Sequence, residues 1–261
     1  PTGATDSTTA FTNAVATGHN VLVPDGSYLL GATISLNPGQ IISGRRYGAN
    51  IYKNANVPMF FIPTASSGAG IKDISIYGNY DGFGFGIPNR PVAAASFTDT
   101  TDNIQVGVVG VEGPYFWILE ECDSQYAGRH GIYWFDGPSP TIKSVSCSYN
   151  AGWGFYQSQT QVVGGSAVDV HHATILHMEC TNNGKSSLTE GGGAYIKGSS
   201  HAVVNLKCFG SYGDGLTVNA TASKIAAFVE QNGSANSGIT TWASGQSVTI
   251  GTFRKYQSNL Y

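Results

Sequence analysis

Short apolar stretches alternate with glycine-rich polar turns along most of the chain. Only residues 6–18 carry apolar positions at helical spacing, and Gly18 is placed to end that helix. The apolar stripe consists of Ala10, Phe11, Ala14 and Val15. The next stretch, Val21–Leu30, predicts two short strands around a turn at Pro24-Asp25-Gly26. A short helix in front of such strands is expected to cover the open end of a stack of strands.

The four cysteines mark an internal repeat. Five stretches of strand length, here called the cysteine segments, align when the cysteines are placed in register. They are Trp117–Cys122, Ile142–Cys147, Ile175–Cys180, Val203–Cys208 and Ile225–Glu230. Their starts lie 25, 33, 28 and 22 residues apart. Those intervals are too short for strands joined by crossover helices and are typical of a solenoid.

Each cysteine segment is followed by a polar turn and a second strand-length stretch that begins with glycine. We call these the glycine segments: Gly131–Trp134, Gly154–Gln157, Gly193–Ile196, Gly215–Val218 and Gly238–Thr241. The repeated order of strand, turn and strand predicts an all-β fold. We expect a right-handed parallel β-helix over residues 31–261, behind a capping helix and first strands in residues 1–30.

Alternation along the cysteine segments predicts which side chains lie inside. The inward set contains the four cysteines, as one stack, with Val145, Met178, Leu206 and Phe228. The outward set contains Ser146, Glu179, Lys207 and Val229. Packed, reduced thiols are expected, since free cysteine behaves as a small buried hydrophobe; a disulfide between neighbouring coils is the alternative. Glu120 and Lys143 fall on inward positions, so either they pair across adjacent coils or the register slips there.

Composition narrows the class of protein. Charged residues make up 11% of the chain, against about 25% in typical domains, whereas 35 of 261 residues are glycine. The net charge of −3 and the absence of a basic run exclude a typical nucleic-acid partner. No apolar stretch is long enough to span a bilayer, so no membrane insertion is expected. The start at Pro1, without Met or a signal peptide, suggests a piece of a longer chain.

The opening of the chain resembles the pectate-lyase-like β-helix superfamily, to which bacteriophage tailspikes belong. The resemblance is carried by Thr2–Phe11 and Val21–Leu30: a Gly-, Thr- and Asp-rich cap, a short helix, a valine-rich strand, a Pro-x-Gly turn and a Tyr-Leu pair. Ser7 stands where a second Asp is common. The resemblance implies the β-helix fold and a homotrimeric virion tail spike that binds and cleaves bacterial capsule or O-antigen. Because one fold carries many activities, function has to be argued from a site.

Carboxylates on the outer face suggest one catalytic set. Glu121 and Glu179 fall in one outward column with Ser146 between them, about 9.6 Å apart across two coils. That separation lies near the upper end of the roughly 6.5–9.5 Å range for inverting glycoside hydrolysis. A solvated surface pair is the alternative.

A polysaccharide lyase would use a different set. His177 is a candidate base for the proton at C5 of a uronate, and Lys207 or Arg129 would neutralise the sugar carboxylate. The alternatives are an ordinary surface ion pair of Glu179 with Lys207 and, for Arg129 and its neighbour His130, a solvated turn.

Three tyrosines offer a binding surface for a glycan. Tyr133, Tyr156 and Tyr195 take the same outward position in three successive glycine segments, and Trp153 lies nearby. Sugar rings stack on aromatic faces. A trimer interface and simple cross-strand stacking are the alternatives. Asp214 is interpreted as a turn former. The histidines, including the pair at 171–172, lack metal-ligand spacing, so neither a metal nor a cofactor is expected.

The resemblance, together with these candidate sites, implies a phage tailspike-type depolymerase that binds and cleaves a bacterial surface polysaccharide by hydrolysis or elimination. The catalytic candidates are Glu121, Glu179 and His177. The substrate-binding candidates are Tyr133, Tyr156, Tyr195, Lys207, Arg129 and Trp153. The alternative is a receptor-binding β-helix without catalysis.

Overall fold

The structure is a computed structural model. It describes residues 1–84, 86–108, 111, 113–135, 137–158, 161–163, 166–168, 172–185 and 191–230, with backbone alone for 161–163, 166–168 and 221. The described strands pair in parallel, apart from one antiparallel hairpin of β16 (Gln161–Val163) with β17 (Ser166–Val168). The predicted parallel β-helix is confirmed. The glycine segment Gly238–Thr241 lies outside the described residues.

The predicted helix is present as α1, Thr8–Ala16. Its first turn is held by the Asp6 carboxylate, which accepts a hydrogen bond from the Thr8 N–H at 2.7 Å. Gly18, with φ +73°, ends it by donating its N–H to a carbonyl of the last turn. Phe11 and Val15 are buried in the core, which the helix therefore closes at one end.

Each coil contributes up to three strands. The first-position strands are β2 (Val21–Leu22), β5 (Ile41–Ser43), β8 (Gly70–Lys72) and β11 (Ile118–Glu120). The second-position strands are β1 (Thr2–Asp6), β3 (Gly26–Leu30), β6 (Ala49–Lys53), β9 (Ser75–Tyr77) and β12 (Asp123–Gln125). Both positions are spanned by β14 (Thr141–Ser148), β18 (Thr174–Thr181), β20 (Ala202–Phe209) and β22 (Lys224–Glu230). Together these thirteen strands form one sheet.

The third-position strands form a separate seven-stranded sheet. They are β4 (Ile34–Ser35), β7 (Phe60–Ile62), β10 (Ile104–Val106), β13 (Ile132–Trp134), β15 (Phe155–Gln157), β19 (Gly192–Ser199) and β21 (Asp214–Thr221). Four of the five predicted glycine segments lie in β13, β15, β19 and β21. One coil thus has two faces, the bent thirteen-stranded sheet and the seven-stranded sheet.

The cysteine segments bend between their first and second positions. In successive coils one residue with φ between 51° and 59° forms this bend, which we call the corner column. Its members are Glu121, Ser144, His177 and Asn205. The left-handed residue shifts the inward and outward alternation by one position. The side chains before it therefore face the side opposite to the one they would face in an uninterrupted strand. Glu120 and Lys143 therefore lie outside, where Lys143 Nζ contacts Glu120 Oε1 at 2.7 Å.

The cysteine register is confirmed in part. Cys147, Cys180 and Cys208 pair in register and are fully buried. Cys122 is also buried but lies one residue before the Asp123–Ser146 pair, level with Val145, because the spacing between these coils is 23 residues rather than 25. All four are free thiols.

Alternation placed most inward residues correctly. Val145, Met178 and Leu206 are buried, as predicted. Phe228 is wrong: it is 50% exposed, while Val229 pairs with Cys208 and packs on the core. A register shift between β20 and β22 moves this last strand by one residue.

A long loop, residues 78–103, separates β9 from β10. Its two ends are tied together, because the Asn79 N–H donates to Asp99 Oδ2 at 3.0 Å. The fully buried Lys53 ammonium contacts the Asp99 carboxylate at 3.0 Å and Thr101 Oγ1 at 3.0 Å. From there the loop reaches later coils, where the Phe83 ring lies 5.9 Å from that of Tyr212. Within the described ranges, no helix is long and apolar enough to cross a membrane.

Candidate functional site: an aromatic cleft on the seven-stranded sheet

The predicted tyrosine ladder is present. Tyr133 pairs in register with Tyr156, and Tyr156 pairs with Tyr195. The Tyr156 and Tyr195 rings are stacked, with centroids 4.9 Å apart, whereas Tyr133 meets Tyr156 edge-on at 5.3 Å. Tyr133 is buried and the other two are half-buried. The Tyr156 and Tyr195 rings are therefore the accessible part of the ladder.

A cleft of about 360 Å³ opens beside these rings. It is lined by Trp153, Tyr156, Gly191, Tyr195, Gly213, Asp214 and Thr217. The Trp153 ring meets Tyr195 edge-on at 5.6 Å. Its buried Nε1 has no hydrogen-bond partner in the described part of the chain. Asp214 accepts a hydrogen bond from Thr217 Oγ1 at 3.2 Å, which holds a carboxylate at the cleft wall.

The strand register explains how these groups meet. Successive coils pair in register at Ile104, Ile132, Phe155, Ala194 and Leu216. The residues two positions before these form a second column, which we call the entry column: Asp102, His130, Trp153, Gly192 and Asp214. This entry column runs alongside the tyrosine ladder. Gly192 has no side chain because a Cβ there would come within 2.0 Å of the Asp214 carbonyl oxygen.

His130 packs into the ladder. Its ring stacks on Tyr156 at 4.8 Å and meets Tyr133 edge-on at 5.2 Å. The side chain is 5% exposed, so its interpretation as part of a solvated turn is wrong. Burial, with a smaller effect of neighbouring Arg129, lowers the pKa of His130 to about 3. The neutral ring accepts the backbone N–H of Trp153 at Nδ1, at 3.0 Å, so the proton of the ring lies on Nε2.

Arg129 lies at the same end of the ladder. Its guanidinium carbon is 4.5 Å from the Tyr133 ring centroid, and one nitrogen is 3.6 Å from the Asp102 carboxylate. Asp102 is buried, which raises its pKa to about 6 despite Arg129. Asp102 also accepts the His130 N–H at 3.0 Å. This carboxylate supports the Arg129–His130 turn from behind.

The predicted catalytic residues lie on the other sheet. Glu121 is in the corner column, in an ion pair with Arg46 at 3.1 Å. His177 is in the same column, where Asn205 Nδ2 donates to its Nδ1 at 2.7 Å. Glu179 pairs in register with Ser146.

The prediction that Glu121 and Glu179 share a column is therefore wrong. The two residues are displaced by two positions along the coil, because the spacing between the coils of Cys122 and Cys147 is 23 residues rather than 25. By strand spacing and rise, their backbones lie about 12 Å apart diagonally.

Lys207 also lies away from the cleft. It pairs in register with Glu179, but the described ion pairs do not include these two residues. The structure thus brings together Tyr133, Tyr156, Tyr195, Trp153 and Arg129, and separates them from the predicted acids, from His177 and from Lys207.

Two polar residues of the cleft face were not selected from the sequence. Asp214 was interpreted as a turn former, and His130 was weighed only as part of a turn. Both precede a glycine segment by one residue, as Trp153 does, and that shared offset is the signal that would have grouped them. No group of three or more His, Cys, Asp or Glu residues in the described ranges could hold a metal ion.

Fold and site together define a parallel β-helix with an aromatic, carboxylate-bearing cleft on its seven-stranded sheet. The chain is similar to the A-modules of the Azotobacter vinelandii mannuronan C-5 epimerases AlgE4 and AlgE6. The TM-scores are 0.55 and 0.56 at 14% and 13% identity, covering 88% of this chain and 74% and 72% of those chains.

It is also similar to ORF18 of Geobacillus virus E2, with a TM-score of 0.52 at 13% identity over 95% of this chain and 58% of that chain. No family model and no curated protein matches the sequence. At these identities the likeness establishes the fold, and it confirms the β-helix that the opening segment implied.

Proposed function

We propose that this β-helix is a phage tailspike-type depolymerase that binds a bacterial capsule or O-antigen polysaccharide in the cleft and cleaves it. The observation that carries the proposal is the cleft itself, where the stacked Tyr156 and Tyr195 rings and Trp153 lie beside Asp214. Aromatic faces bind sugar rings, and a few fixed polar groups orient them. The resemblance of the opening segment supports a bacterial surface polysaccharide as the substrate class.

Asp214 is our first candidate for the acid or base of the reaction, because it is the carboxylate that lines the cleft. Glu121, Glu179 and His177, with Lys207, form the second candidate set. That set requires the glycan to lie across the thirteen-stranded sheet instead. The two proposals therefore differ in the substitutions that should abolish activity: those at Asp214 for the first, and those in the second candidate set for the other.

The test is incubation with a panel of capsular and O-antigen polysaccharides, followed by product size and by the ultraviolet absorbance of unsaturated uronates. Absorbing short products indicate elimination, and non-absorbing ones indicate hydrolysis. On the substrate found, Asp214→Asn is expected to lower the rate at least about 100-fold, the scale of general acid–base catalysis. Tyr195→Ala is expected to weaken binding.

Glu179→Gln is the matched control on the other sheet, and it is expected to keep wild-type activity. Loss of activity in Glu179→Gln, with full activity in Asp214→Asn, would move the reaction to the thirteen-stranded sheet. All three variants are compared only if their thermal unfolding matches the wild type.

A receptor-binding β-helix without catalysis is the second candidate function. It is favoured by the cleft lining, in which Asp214 is the single carboxylate among the described residues, whereas most glycoside hydrolases use two. Binding of a polysaccharide whose length stays unchanged after prolonged incubation would select this function.

From the same resemblance we propose a homotrimer on the virion tail that acts at the bacterial surface. Sedimentation equilibrium of the purified chain tests the trimer. A monomer at all concentrations would contradict it for this chain.

A further inference from the structure

We infer that Arg129 and His130 form a subsite for the carboxylate of an acidic sugar, so that the glycan held along the tyrosine ladder is a uronate-containing polysaccharide. This inference rests on the proposed glycan-binding function and adds the substrate class. The subsite lies at the Tyr133 end of the ladder, since both side chains contact the Tyr133 ring.

The Arg129 guanidinium is available to a ligand. It is 43% exposed and makes no hydrogen bond within the described ranges, since its separation of 3.6 Å from Asp102 is an ion pair without one. Asp102 itself is 4% exposed, behind the turn. The Tyr133 ring orients the guanidinium plane, and such a plane binds a carboxylate through two parallel N–H donors.

His130 supplies a second donor beside the first. Its Nδ1 is occupied by the Trp153 N–H, which leaves the proton on Nε2. Nε2 has no partner among the described residues, and it is not one of the fully buried unpaired atoms. An N–H donor fixed by a backbone contact and two aromatic rings is preorganised for an oxygen acceptor.

The charges of the cleft face give the glycan a direction. Arg129 is one coil before Trp153, and Asp214 is two coils after it, so the cation and the carboxylate are about 14 Å apart along the ladder. A sugar carboxylate is attracted to the first end and repelled at the other. We therefore place the acidic substituent at the Arg129 guanidinium, at the Tyr133 end of the ladder, with the chain continuing past Tyr156 and Tyr195 toward Asp214.

The experiment compares a uronate-containing capsular polysaccharide with the same polymer after chemical reduction of its carboxyl groups. Wild-type protein is expected to bind the native polymer at least about 10-fold more tightly, and this preference should shrink as salt is raised. Arg129→Met is expected to bind both polymers with the wild-type affinity for the reduced one. His130→Asn keeps an acceptor for the Trp153 N–H, removes the Nε2–H donor and should lose a smaller part of the preference.

Arg45→Met is the matched control, because it removes the same charge from an exposed ion pair with Asp25 on the thirteen-stranded sheet side. It is expected to keep the preference, and Arg129→Lys should retain part of it even if Arg129→Met fails to fold. Equal wild-type binding of native and reduced polymers would overturn the subsite while leaving the proposed function intact. Tyr195→Ala binding that equals the wild type on both polymers would instead overturn the proposed cleft. If Arg129 were needed only for the binding of polymers that carry phosphate groups, the carboxylate assignment would be overturned.

Discussion

The corner column shows how single residues set the shape of each coil. Ser144 has φ 53° and His177 has φ 59°, a left-handed conformation that costs a residue with a Cβ roughly 1–2 kcal/mol. The same strain recurs in successive coils at the same place. The bend it produces separates the first and second strand positions and directs the outward side chains, so the strain is repaid by the packing of the whole coil.

Glycine at a corner position is therefore expected to stabilise the protein. We predict that Ser144→Gly raises the free energy of unfolding, because relief of the left-handed strain exceeds the added flexibility of the unfolded chain. Ser146→Gly, two residues later in the straight part of β14, should lower it by roughly 0.5–1 kcal/mol. Chemical denaturation of both variants measures the difference. A corner variant that is less stable than the strand variant would contradict this account.

His130 gives the protein a measurable dependence on acid. Its pKa is about 3 when folded and about 6.5 when unfolded, so the unfolded chain binds the proton first as the pH falls. The stability contributed by the neutral ring is complete above pH 6.5 and is lost between there and pH 3, at up to roughly 1.4 kcal/mol per unit.

His130→Asn should remove this dependence, because Asn keeps an acceptor for the Trp153 N–H but does not titrate. We expect the free energy of unfolding of the wild type to fall relative to that of His130→Asn as the pH is lowered from 7 to 4. Carboxylates that titrate in both proteins cancel in the comparison. A difference that stays constant with pH would show that His130 is not held neutral.

At the scale of elements, a buried ion pair anchors the long loop 78–103 to the sheet. Lys53 lies in β6, while its partner Asp99 and its hydrogen-bond partner Thr101 lie at the end of the loop. Asp99 also accepts the N–H of Asn79 at the loop's start. One lysine thus fixes both ends of the insertion to the sheet.

Lys53→Met is expected to destabilise the protein by roughly 3–5 kcal/mol, since it leaves a buried carboxylate without its cation. The double variant Lys53→Met with Asp99→Asn should recover part of the loss. Denaturation gives the stability, and limited proteolysis within residues 78–103 reports release of the loop. Wild-type stability in the single variant would show that the ion pair does not hold this element.

At the scale of the whole molecule, one apolar core runs from Phe11 near the capped end to Ile225 in the last described strand. All four cysteines belong to it and have no solvent-exposed surface. Burial raises the pKa of Cys122 to about 12 and also raises that of Cys147. The thiols therefore report on the integrity of the core.

We expect no reaction of the native protein with a thiol reagent such as Ellman's reagent at mildly alkaline pH, and four equivalents after denaturation. The labelling rate in increasing denaturant should follow the loss of strand signal in circular dichroism. Rapid labelling of a native thiol would contradict a continuous core over all four coils.

The sequence alone predicted the β-helix, its capping helix, four of the glycine segments and the register of the tyrosine ladder. These features depend on local patterns, namely strand alternation and the interval between coils, which are visible along the chain. The roles of Glu121, Glu179, His177 and Lys207 remain predictions.

Only the tertiary structure decided which faces these residues share. A single left-handed residue, such as Glu121, changes alternation by one position, and a spacing of 23 rather than 25 residues shifts a coil by two. Glu120 and Lys143 on inward positions indicated a possible slip in register, but the hydrophobic pattern did not place the bend or the change of spacing, because both occur at polar outward positions. Asp214, His130 and Trp153 share one column of the seven-stranded sheet only through the stacking of coils, since that column follows from strand pairing between residues far apart in sequence.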